Sequence, residues 1–142
     1  MDKIDRLVSE LRDFPAFVGE DEYQLRAIAR HVTEHRLSEG EVLLREGDPA
    51  RTVYLLITGR ASVSVGGNVV AESGPGSILG EMGMLDHSTS AATVTVTEPG
   101  LALMVDWLGF EALMDSRAFS HAIGAGLAER LRRHERREPP AG

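Results

Sequence analysis

The sequence predicts a mainly β protein with flanking α-helices: an antiparallel double-stranded β-helix (jelly-roll) barrel with two N-terminal helices before it and further helices after it. Apolar residues recur at helical spacing near both ends of the chain, whereas the middle alternates with period two in many short runs. Glycine-bearing turns separate those runs, and no long helix interrupts them. This pattern excludes a doubly wound parallel sheet.

One domain accounts for the whole chain. Its 142 residues, 42% of them hydrophobic, are enough for one core, and a second independent domain is not expected. We expect a single domain over residues 1–137, with helices in 1–35, the barrel in 36–106 and C-terminal helices in 107–137. The last residues, 138–142, are expected to form a disordered tail because they contain two prolines beyond the last helix.

Two amphipathic helices are expected before the barrel, the first ending near Pro15. Its apolar stripe consists of Ile4, Leu7, Val8 and Leu11. The stripe of the second helix consists of Leu25, Ile28, Ala29 and Val32. Acidic residues 20–22 precede the second helix, where negative charge stabilises a helix N-terminus.

Short runs rich in β-branched residues predict the strands of the barrel. The expected strands are 42–44, 53–57, 61–65, 69–71, 92–96 and 101–105. Glycine or proline marks the turns between them, at 39–40, 46–49, 58–59 and 66–68.

After Trp107 the spacing of apolar residues becomes helical again. A short helix is predicted by Phe110, Leu113 and Met114. A longer helix, ending near residue 137, is predicted by Phe119, Ile123, Leu127 and Leu131. Gly124 and Gly126 each weaken that helix by about 1 kcal/mol relative to alanine, so close packing is expected. The packing partner is either the chain's own barrel or a second copy, which leaves a homodimer through this helix as a hypothesis.

Composition excludes several classes of function. The net charge of −7 argues against a surface built to bind nucleic acid, although arginines crowd the predicted end of the last helix. The absence of cysteine excludes disulfides, thiolate nucleophiles and cysteine-ligated zinc. The N-terminus lacks the apolar stretch of a signal peptide, and no run approaches the roughly 20 apolar residues of a membrane helix. We therefore expect a soluble, cytoplasmic protein with no membrane partner.

No catalytic or metal-binding constellation stands out in the sequence. The glycine-rich segment 74–80 differs in spacing from a dinucleotide-binding loop, and no crossover helix follows it. Segment 86–88 contains the residue types of a hydrolytic triad, but adjacent residues rarely converge on one another. His31 and His35 have the i, i+4 spacing of a metal pair on a helix but lack a third ligand. We expect no enzyme activity, no metal and no cofactor.

One segment has the chemistry of a binding site. Residues 76–85 predict a strand end, a tight turn at Gly80 and one short helical turn, and a strand resumes at Ala92 after a polar loop. Such a turn exposes unpaired backbone N–H groups, which suit an anion. Gly80 and Gly83 allow the backbone to approach a ligand closely, and Glu81 can accept a hydrogen bond from a sugar hydroxyl.

This segment resembles the phosphate-binding cassette of cyclic-nucleotide-binding domains, the family of bacterial catabolite activators, protein kinase A regulatory subunits and cyclic-nucleotide-gated channels. Segments 43–50 (Leu-Leu-Arg-Glu-Gly-Asp-Pro-Ala) and 53–59 (Val-Tyr-Leu-Leu-Ile-Thr-Gly) also occur in the family's order and spacing, so the likeness spans about residues 14–125. The resemblance implies that cyclic AMP or cyclic GMP binds inside the barrel and that C-terminal helices, of the family's B and C type, move in response.

The resemblance also implies which residues bind the ligand. Glu81 would bind the ribose 2′-hydroxyl, the amides of Met82 to Met84 would hold the cyclic phosphate, and Thr93 would lie near the base. The full set of expected ligand-binding residues is Leu79, Gly80, Glu81, Met82, Gly83, Met84, Ser90, Ala91, Ala92 and Thr93.

Ser90 departs from the family pattern, which has an arginine directly before the Ala-Ala-Thr-Val run. The loss of that charge-assisted contact removes about 1.5–3 kcal/mol, roughly a ten- to hundredfold drop in affinity. Arg45, Arg51 and Arg60 are the candidates to replace it from neighbouring segments.

Two functions remain open at this point. One is a stand-alone regulatory module that senses a cyclic nucleotide through movement of its C-terminal helices. The other is a degenerate domain of the same fold that serves in protein–protein interaction or dimerisation with an unidentified partner. The sequence does not choose between cyclic AMP and cyclic GMP. We expect no DNA-binding element, because the chain stops where catabolite activators begin theirs.

Overall fold

A computed structural model describes residues 2–124 of the chain. Two helices come first, α1 (Lys3–Asp13) and α2 (Glu22–Ala29), with a 3-10 turn at Pro15–Phe17 between them. Six strands and a short helix follow: β1 (Val32–Leu37), β2 (Val42–Leu44), β3 (Val53–Val65), β4 (Asn68–Ser73), β5 (Ile78–Leu79), α3 (Glu81–Leu85) and β6 (Thr93–Val105). Helix α4 (Trp107–Met114) follows the last strand, and a further helix, α5, begins at residue 117 and continues to 124.

The strands form one antiparallel sheet, which confirms the expected mainly β jelly-roll class with flanking helices. The strand order is β1-β6-β3-β4, with β2 added to β6 and β5 added to β3. Strand β6 pairs with β1 through Val32↔Val105 and with β2 through Val42↔Thr95, while β3 runs along its other side. The predicted glycine turn between β3 and β4 is a two-residue hairpin at Gly66-Gly67.

Strands β3 and β6 are each continuous over 13 residues, so the prediction that divided each of them into two strands was wrong. The predicted turn at 58–59 is an irregularity inside β3, where the register against β6 shifts between Leu56 and Ala61. Gly59 and Gly100 lie on opposite strands there, and a Cβ on Gly100 would lie 2.2 Å from the Thr58 carbonyl oxygen. The glycines therefore allow two strands to bend past each other rather than reverse direction.

Helix α2 ends at Ala29, so the prediction of helix to residue 35 was also wrong. The His31 N–H donates to the Ile28 carbonyl at 2.9 Å, and Val32 then begins β1. Val32 is buried, but it pairs with Val105 in the sheet and is not part of the apolar stripe of α2. Because His35 lies in β1, the expected i, i+4 relation of two histidines on one helix does not exist.

Glu41 connects β1 to the turn before β2. Its Oε2 lies 2.6 Å from His35 Nε2, and its Oε1 accepts a hydrogen bond from the Ser38 N–H at 3.1 Å. The hydrogen bond from His35, helped by the Ser38 amide, lowers the pKa of Glu41 below its usual value. A carboxyl whose pKa is lowered on folding stabilises the fold above its unfolded pKa, and that contribution is lost as the pH falls through the folded pKa.

We expect Glu41→Gln to lower the free energy of unfolding by about 1 kcal/mol near neutral pH, since the hydrogen bonds to a half-buried carboxylate are weakened. As the pH falls through the lowered pKa of folded Glu41, the wild-type carboxyl becomes protonated and the difference should shrink towards zero. Urea unfolding at several pH values measures this, with the exposed neighbour changed in Glu39→Gln as control. If Glu41→Gln lowers the free energy of unfolding by the same amount at all pH values, the assigned role of the Glu41 carboxylate is contradicted.

Two apolar clusters lie on opposite sides of β3. Leu55 belongs to the cluster between the barrel and the helices, and Leu56 belongs to the cluster inside the barrel. This alternation follows from the period of two along a strand. The helix-side cluster contains residues of α1, α2, α3, α4 and α5, so both ends of the described chain pack on the same side of the barrel.

The start of α5 is bonded to the N-terminal helices. Ser116 is fully buried, and its hydroxyl donates to Glu20 Oε2 at 2.6 Å while accepting from the Phe119 N–H at 3.1 Å. Serine is a favoured N-cap because its oxygen satisfies an amide of the first helical turn. Phe119 stacks on Phe17, with ring centroids 5.6 Å apart.

The expected helix beyond residue 124, with Leu127 and Leu131, the tail at 138–142 and the proposed dimer contact lie outside the described residues. Within 117–124, the predicted apolar positions Phe119 and Ile123 are buried as expected. Among residues 2–124, none of the helices is both long and apolar enough to cross a membrane.

Candidate functional site

The predicted glycine turn and short helix are present. Strand β5 pairs with β3 through Leu79↔Tyr54, the chain turns at Gly80, and α3 begins at Glu81. Gly80 has a φ of 95°, and a Cβ there would lie 2.7 Å from the Thr52 carbonyl oxygen. Both the backbone conformation and the lack of space require glycine at this position.

Gly83 is also fixed by packing within the chain. A Cβ on Gly83 would lie 2.5 Å from the Cβ of Ala50 and 2.9 Å from the Thr89 carbonyl oxygen. The sequence analysis explains glycine at positions 80 and 83 by the close approach of a ligand to the backbone. The structure shows that both glycines allow the chain's own backbone to pack closely around α3.

A cavity of about 710 Å³ lies beside α3. Eight of the ten expected ligand-binding residues line it, and they come from the turn, from α3 and from the segment before β6. These residues are Leu79, Gly80, Glu81, Met82, Gly83, Ser90, Ala91 and Ala92. The structure thus brings together two segments that the sequence singled out separately.

Met84 and Thr93 are not among the residues that line this cavity. Met84 is buried in the helix-side cluster, with Phe110, Leu113 and Phe119. Thr93 Oγ1 accepts a hydrogen bond from the Glu46 N–H at 3.0 Å. Val94, the next residue of β6, lines the cavity instead.

The opposite wall of the cavity was not predicted. It comes from the β3–β4 hairpin and from the residues that flank the Gly74-Pro75-Gly76 turn, chiefly Val63, Val65, Val70, Ala71, Ser73 and Ser77. The alternation of Val63 and Val65 along β3 is the signal that could have identified part of this wall.

The described lining of the cavity has a negatively charged side chain and no positively charged one. Among the described residues that line it, Glu81 is the single charged side chain, and Glu81 is 5% exposed. Arg45 and Arg51 are exposed and are not lining residues, and Arg60 Nη2 lies 3.6 Å from Glu72 Oε2. Within residues 2–124, none of the three candidate arginines is among the residues that line this cavity.

Ser90 is held in place by its backbone. Its N–H donates to the Asp48 carbonyl at 2.8 Å, and its carbonyl accepts from the Gly47 N–H at 2.9 Å. Ser90 is 7% exposed and lines the cavity. Two backbone hydrogen bonds to the Gly47-Asp48 turn therefore fix the place of Ser90 in the cavity wall.

A second, smaller cavity of about 420 Å³ lies against Met84 of α3. Arg51, His87 and Trp107 are among the residues that line it. His87 adopts a left-handed backbone conformation with φ 55°, and its ring lies 4.5 Å from that of Trp107, the first residue of α4. The loop after α3 thus contacts the start of the C-terminal helices, which makes Trp107 a natural fluorescent reporter of changes at α3.

Comparisons with known proteins identify the family. The family model described as "Cyclic nucleotide-binding domain" matches residues 34–117, more than half of the chain. Acetyltransferase Pat of Mycolicibacterium smegmatis is 31% identical over 112 residues, which are 76% of this chain and 32% of that protein. The chain therefore spans about a third of this curated relative.

Solved structures show the same fold. The cAMP-bound regulatory domain of Toxoplasma gondii PKA superimposes with a TM-score of 0.77 at 18% identity, over 89% of this chain and 50% of that chain. The Thermus thermophilus catabolite activator protein does so with a TM-score of 0.73 at 26% identity, over 85% of this chain and 60% of that chain. The matched sequence, the jelly-roll barrel and the glycine turn leading into α3 place this chain in the cyclic nucleotide-binding domain family.

Proposed function

We propose that this chain is a regulatory module that binds a cyclic nucleotide, cyclic AMP or cyclic GMP, in the cavity beside α3 and passes the binding event to its C-terminal helices. The observation behind the proposal is the convergence of Leu79–Gly83 and Ser90–Ala92 on one cavity of about 710 Å³. Cavities of this size suit a small organic ligand. The family assignment supports the ligand class.

The cavity offers distinct partners for the parts of such a ligand. Val63, Val65 and Val70 provide an apolar wall for a base. The Glu81 carboxylate can accept hydrogen bonds from a ribose hydroxyl. The first amides of α3 have no partner in a preceding turn of helix, so they can donate to a phosphate oxygen. Ser90 adds one neutral hydroxyl donor.

Helix α3 also provides a route from the ligand to the C-terminal helices. Glu81 and Met82 line the cavity, whereas Met84, three residues from Glu81, is 1% exposed in the cluster that includes Phe110 and Phe119. A ligand that moves α3 therefore displaces a side chain packed with α4 and α5. Binding would shift a pre-existing equilibrium between arrangements of those helices.

The test is a titration by calorimetry, together with Trp107 fluorescence. We expect cyclic AMP or cyclic GMP to bind at millimolar concentration or below, and Glu81→Gln to weaken that binding about tenfold, since a hydrogen bond to a charged acceptor is replaced by one to a neutral acceptor. Glu111→Gln, on the exposed face of α4, is the control and should leave the affinity unchanged. Equal affinities for both variants would contradict the assigned role of Glu81.

A second candidate function is a protein-interaction or dimerisation module that retains the fold and no longer binds cyclic nucleotides. The serine at position 90 and the lack of a cation among the described lining residues favour it. No heat and no thermal stabilisation by either nucleotide at millimolar concentration would support this candidate. If light scattering gives a monomeric mass across micromolar concentrations, the chain does not act as a dimerisation module.

The absence of catalysis stays a prediction. Pat is named as an acetyltransferase, but the match covers only 32% of its length. Within residues 2–124, no three metal-ligating side chains are grouped so as to hold an ion.

A further inference from the structure

The second cavity combines a buried apolar floor with an exposed rim. Met84 of α3 is 1% exposed, whereas Arg51, His87 and Trp107 are exposed and line the same cavity of about 420 Å³. This volume is near the lower end for cavities that hold a ligand, so it suits one anchoring side chain of a partner. An apolar group that enters the cavity from solvent is removed from water on Met84 and Trp107.

The walls of the second cavity are held by backbone hydrogen bonds. The Ala50 N–H donates to the Ser88 carbonyl at 3.0 Å, and the Ser88 N–H donates to the Gly83 carbonyl at 3.0 Å. His87 has a φ of 55°, a value that residues with a side chain adopt rarely, and its ring lies 4.5 Å from that of Trp107. Such a conformation persists where surrounding contacts fix it. The cavity is thus largely formed before a ligand arrives.

The rim of the second cavity carries a cation without a described partner. The Arg51 guanidinium makes no hydrogen bond or ion pair within residues 2–124, and none of the described residues that line the cavity has a carboxylate. Asp86, which precedes His87, accepts a hydrogen bond from the Ser88 N–H at 3.2 Å through its Oδ1. In a chain with a net charge of −7, an unpaired cation beside an apolar cavity favours an acidic partner.

The residue types at the second cavity are those of protein–protein interfaces. Tryptophan and arginine are enriched among the residues that contribute most to the free energy of such interfaces. Leu108, which follows Trp107 on α4, is 64% exposed, so the apolar surface extends beyond the cavity itself. The combined surface suits a polypeptide that places one side chain in the cavity and others around it.

The last residues of the chain do not suit this surface by charge. Residues 125–142 contain five arginines and three glutamates, so their excess of cations would face the guanidinium of Arg51. We propose that the second cavity docks an acidic segment of another protein. A large apolar side chain of that segment packs on Met84 and Trp107, and a neighbouring carboxylate pairs with Arg51. The proposal goes beyond the proposed function and holds whether or not the larger cavity binds a cyclic nucleotide.

Selection from a phage-displayed library of random dodecapeptides against the full chain tests the proposal. We expect the enriched peptides to carry aspartate or glutamate beside a large apolar residue. Calorimetry with a synthetic copy of the most enriched peptide then measures its affinity for the wild type and for the variants. Raising the ionic strength should weaken this binding, because salt screens the attraction between the carboxylate and Arg51.

Arg51→Glu is expected to weaken binding of the selected peptide tenfold or more, since a charge-assisted contact is replaced by repulsion. Arg51→Gln, which only removes the charge, should have a smaller effect. Trp107→Ala should weaken binding about tenfold through loss of apolar contact. Arg36→Glu makes the same charge change at an exposed position of β1 that lines neither cavity, and it should change the affinity by less than about twofold. Thermal unfolding of each variant checks that the fold is retained.

The outcomes separate this docking site from its alternatives. Acidic peptides that lose binding in Arg51→Glu and keep it in Arg36→Glu support the proposal. It is overturned if no peptide is enriched, if the enriched peptides lack acidic residues, or if the two variants bind equally well.

The chain itself is the remaining possible occupant. The proposal is also overturned if a synthetic peptide of residues 125–142 binds the wild type and not Arg51→Glu, or if light scattering shows a dimer that Arg51→Glu dissociates. None of these results bears on cyclic nucleotide binding, which its own titration decides.

Discussion

Replacing Phe119 by alanine is expected to lower the free energy of unfolding by about 3–5 kcal/mol. Phe119 is fully buried, and its ring stacks on Phe17 with centroids 5.6 Å apart and planes 18° apart. It belongs to the cluster that joins the barrel to the helices at both ends of the described chain. Truncation removes this contact and leaves a void that the surrounding large side chains cannot fill.

Urea unfolding followed by circular dichroism measures the loss. His121→Ala, at an exposed position of the same helix, is the matched control, and we expect it to change stability by no more than about 0.5 kcal/mol. A loss below about 1 kcal/mol for Phe119→Ala would show that α5 is not anchored on the barrel through this ring.

Gly83→Ala is expected to destabilise the fold by about 1–3 kcal/mol and to weaken ligand binding tenfold or more. The new Cβ would lie 2.9 Å from the Thr89 carbonyl oxygen and 2.5 Å from the Cβ of Ala50. Neither group is the flexible end of a long side chain, so α3 or the loop against it must move. Since α3 bears Glu81 and Met82 on its cavity side, that movement displaces the binding groups.

Thermal unfolding and calorimetry with cyclic AMP and cyclic GMP measure the two effects of Gly83→Ala. Gly124→Ala is the control, because a Cβ at Gly124 meets no atom of the described residues within 4 Å and the residue lies in a helix. There we expect unchanged binding and a gain of up to about 1 kcal/mol from the higher helix propensity of alanine. Similar behaviour of the two variants would contradict the close packing seen around Gly83.

The local part of the candidate site was predictable from the sequence, whereas its far wall was not. The turn at Gly80 and helix α3 are formed by adjacent residues, so glycine spacing and one carboxylate were enough to locate them. The wall formed by Val70 and Ser73 depends on how the β3–β4 hairpin folds back over the barrel. That contact is between segments distant in sequence, and a pattern of period two identifies a strand without saying which face it presents to which neighbour.

The errors in the fold have a related cause. Thr58-Gly59 and Pro99-Gly100 are typical turn sequences, but the sheet uses them to bend two long strands past each other. Val32 fits the apolar spacing of α2, but pairing with Val105 decides its conformation. In each case a contact with a partner strand overrides the local preference.

The expected place of Thr93 near the base of a ligand stays a prediction. Thr93 does not line the cavity, whereas Val94, which is buried inside the barrel, does. Alternation along the strand does not decide this, because the adjacent residues Val70 and Ala71 of β4 both line the cavity.

One carboxylate joins the two ends of the described chain. Glu20, just before α2, accepts from the Ser116 hydroxyl at 2.6 Å and from the Ala118 N–H at 3.4 Å. Any rotation of α5 about its first turn must either break these bonds or take the N-terminal helices with it. These two hydrogen bonds therefore couple the position of α5 to that of the N-terminal helices.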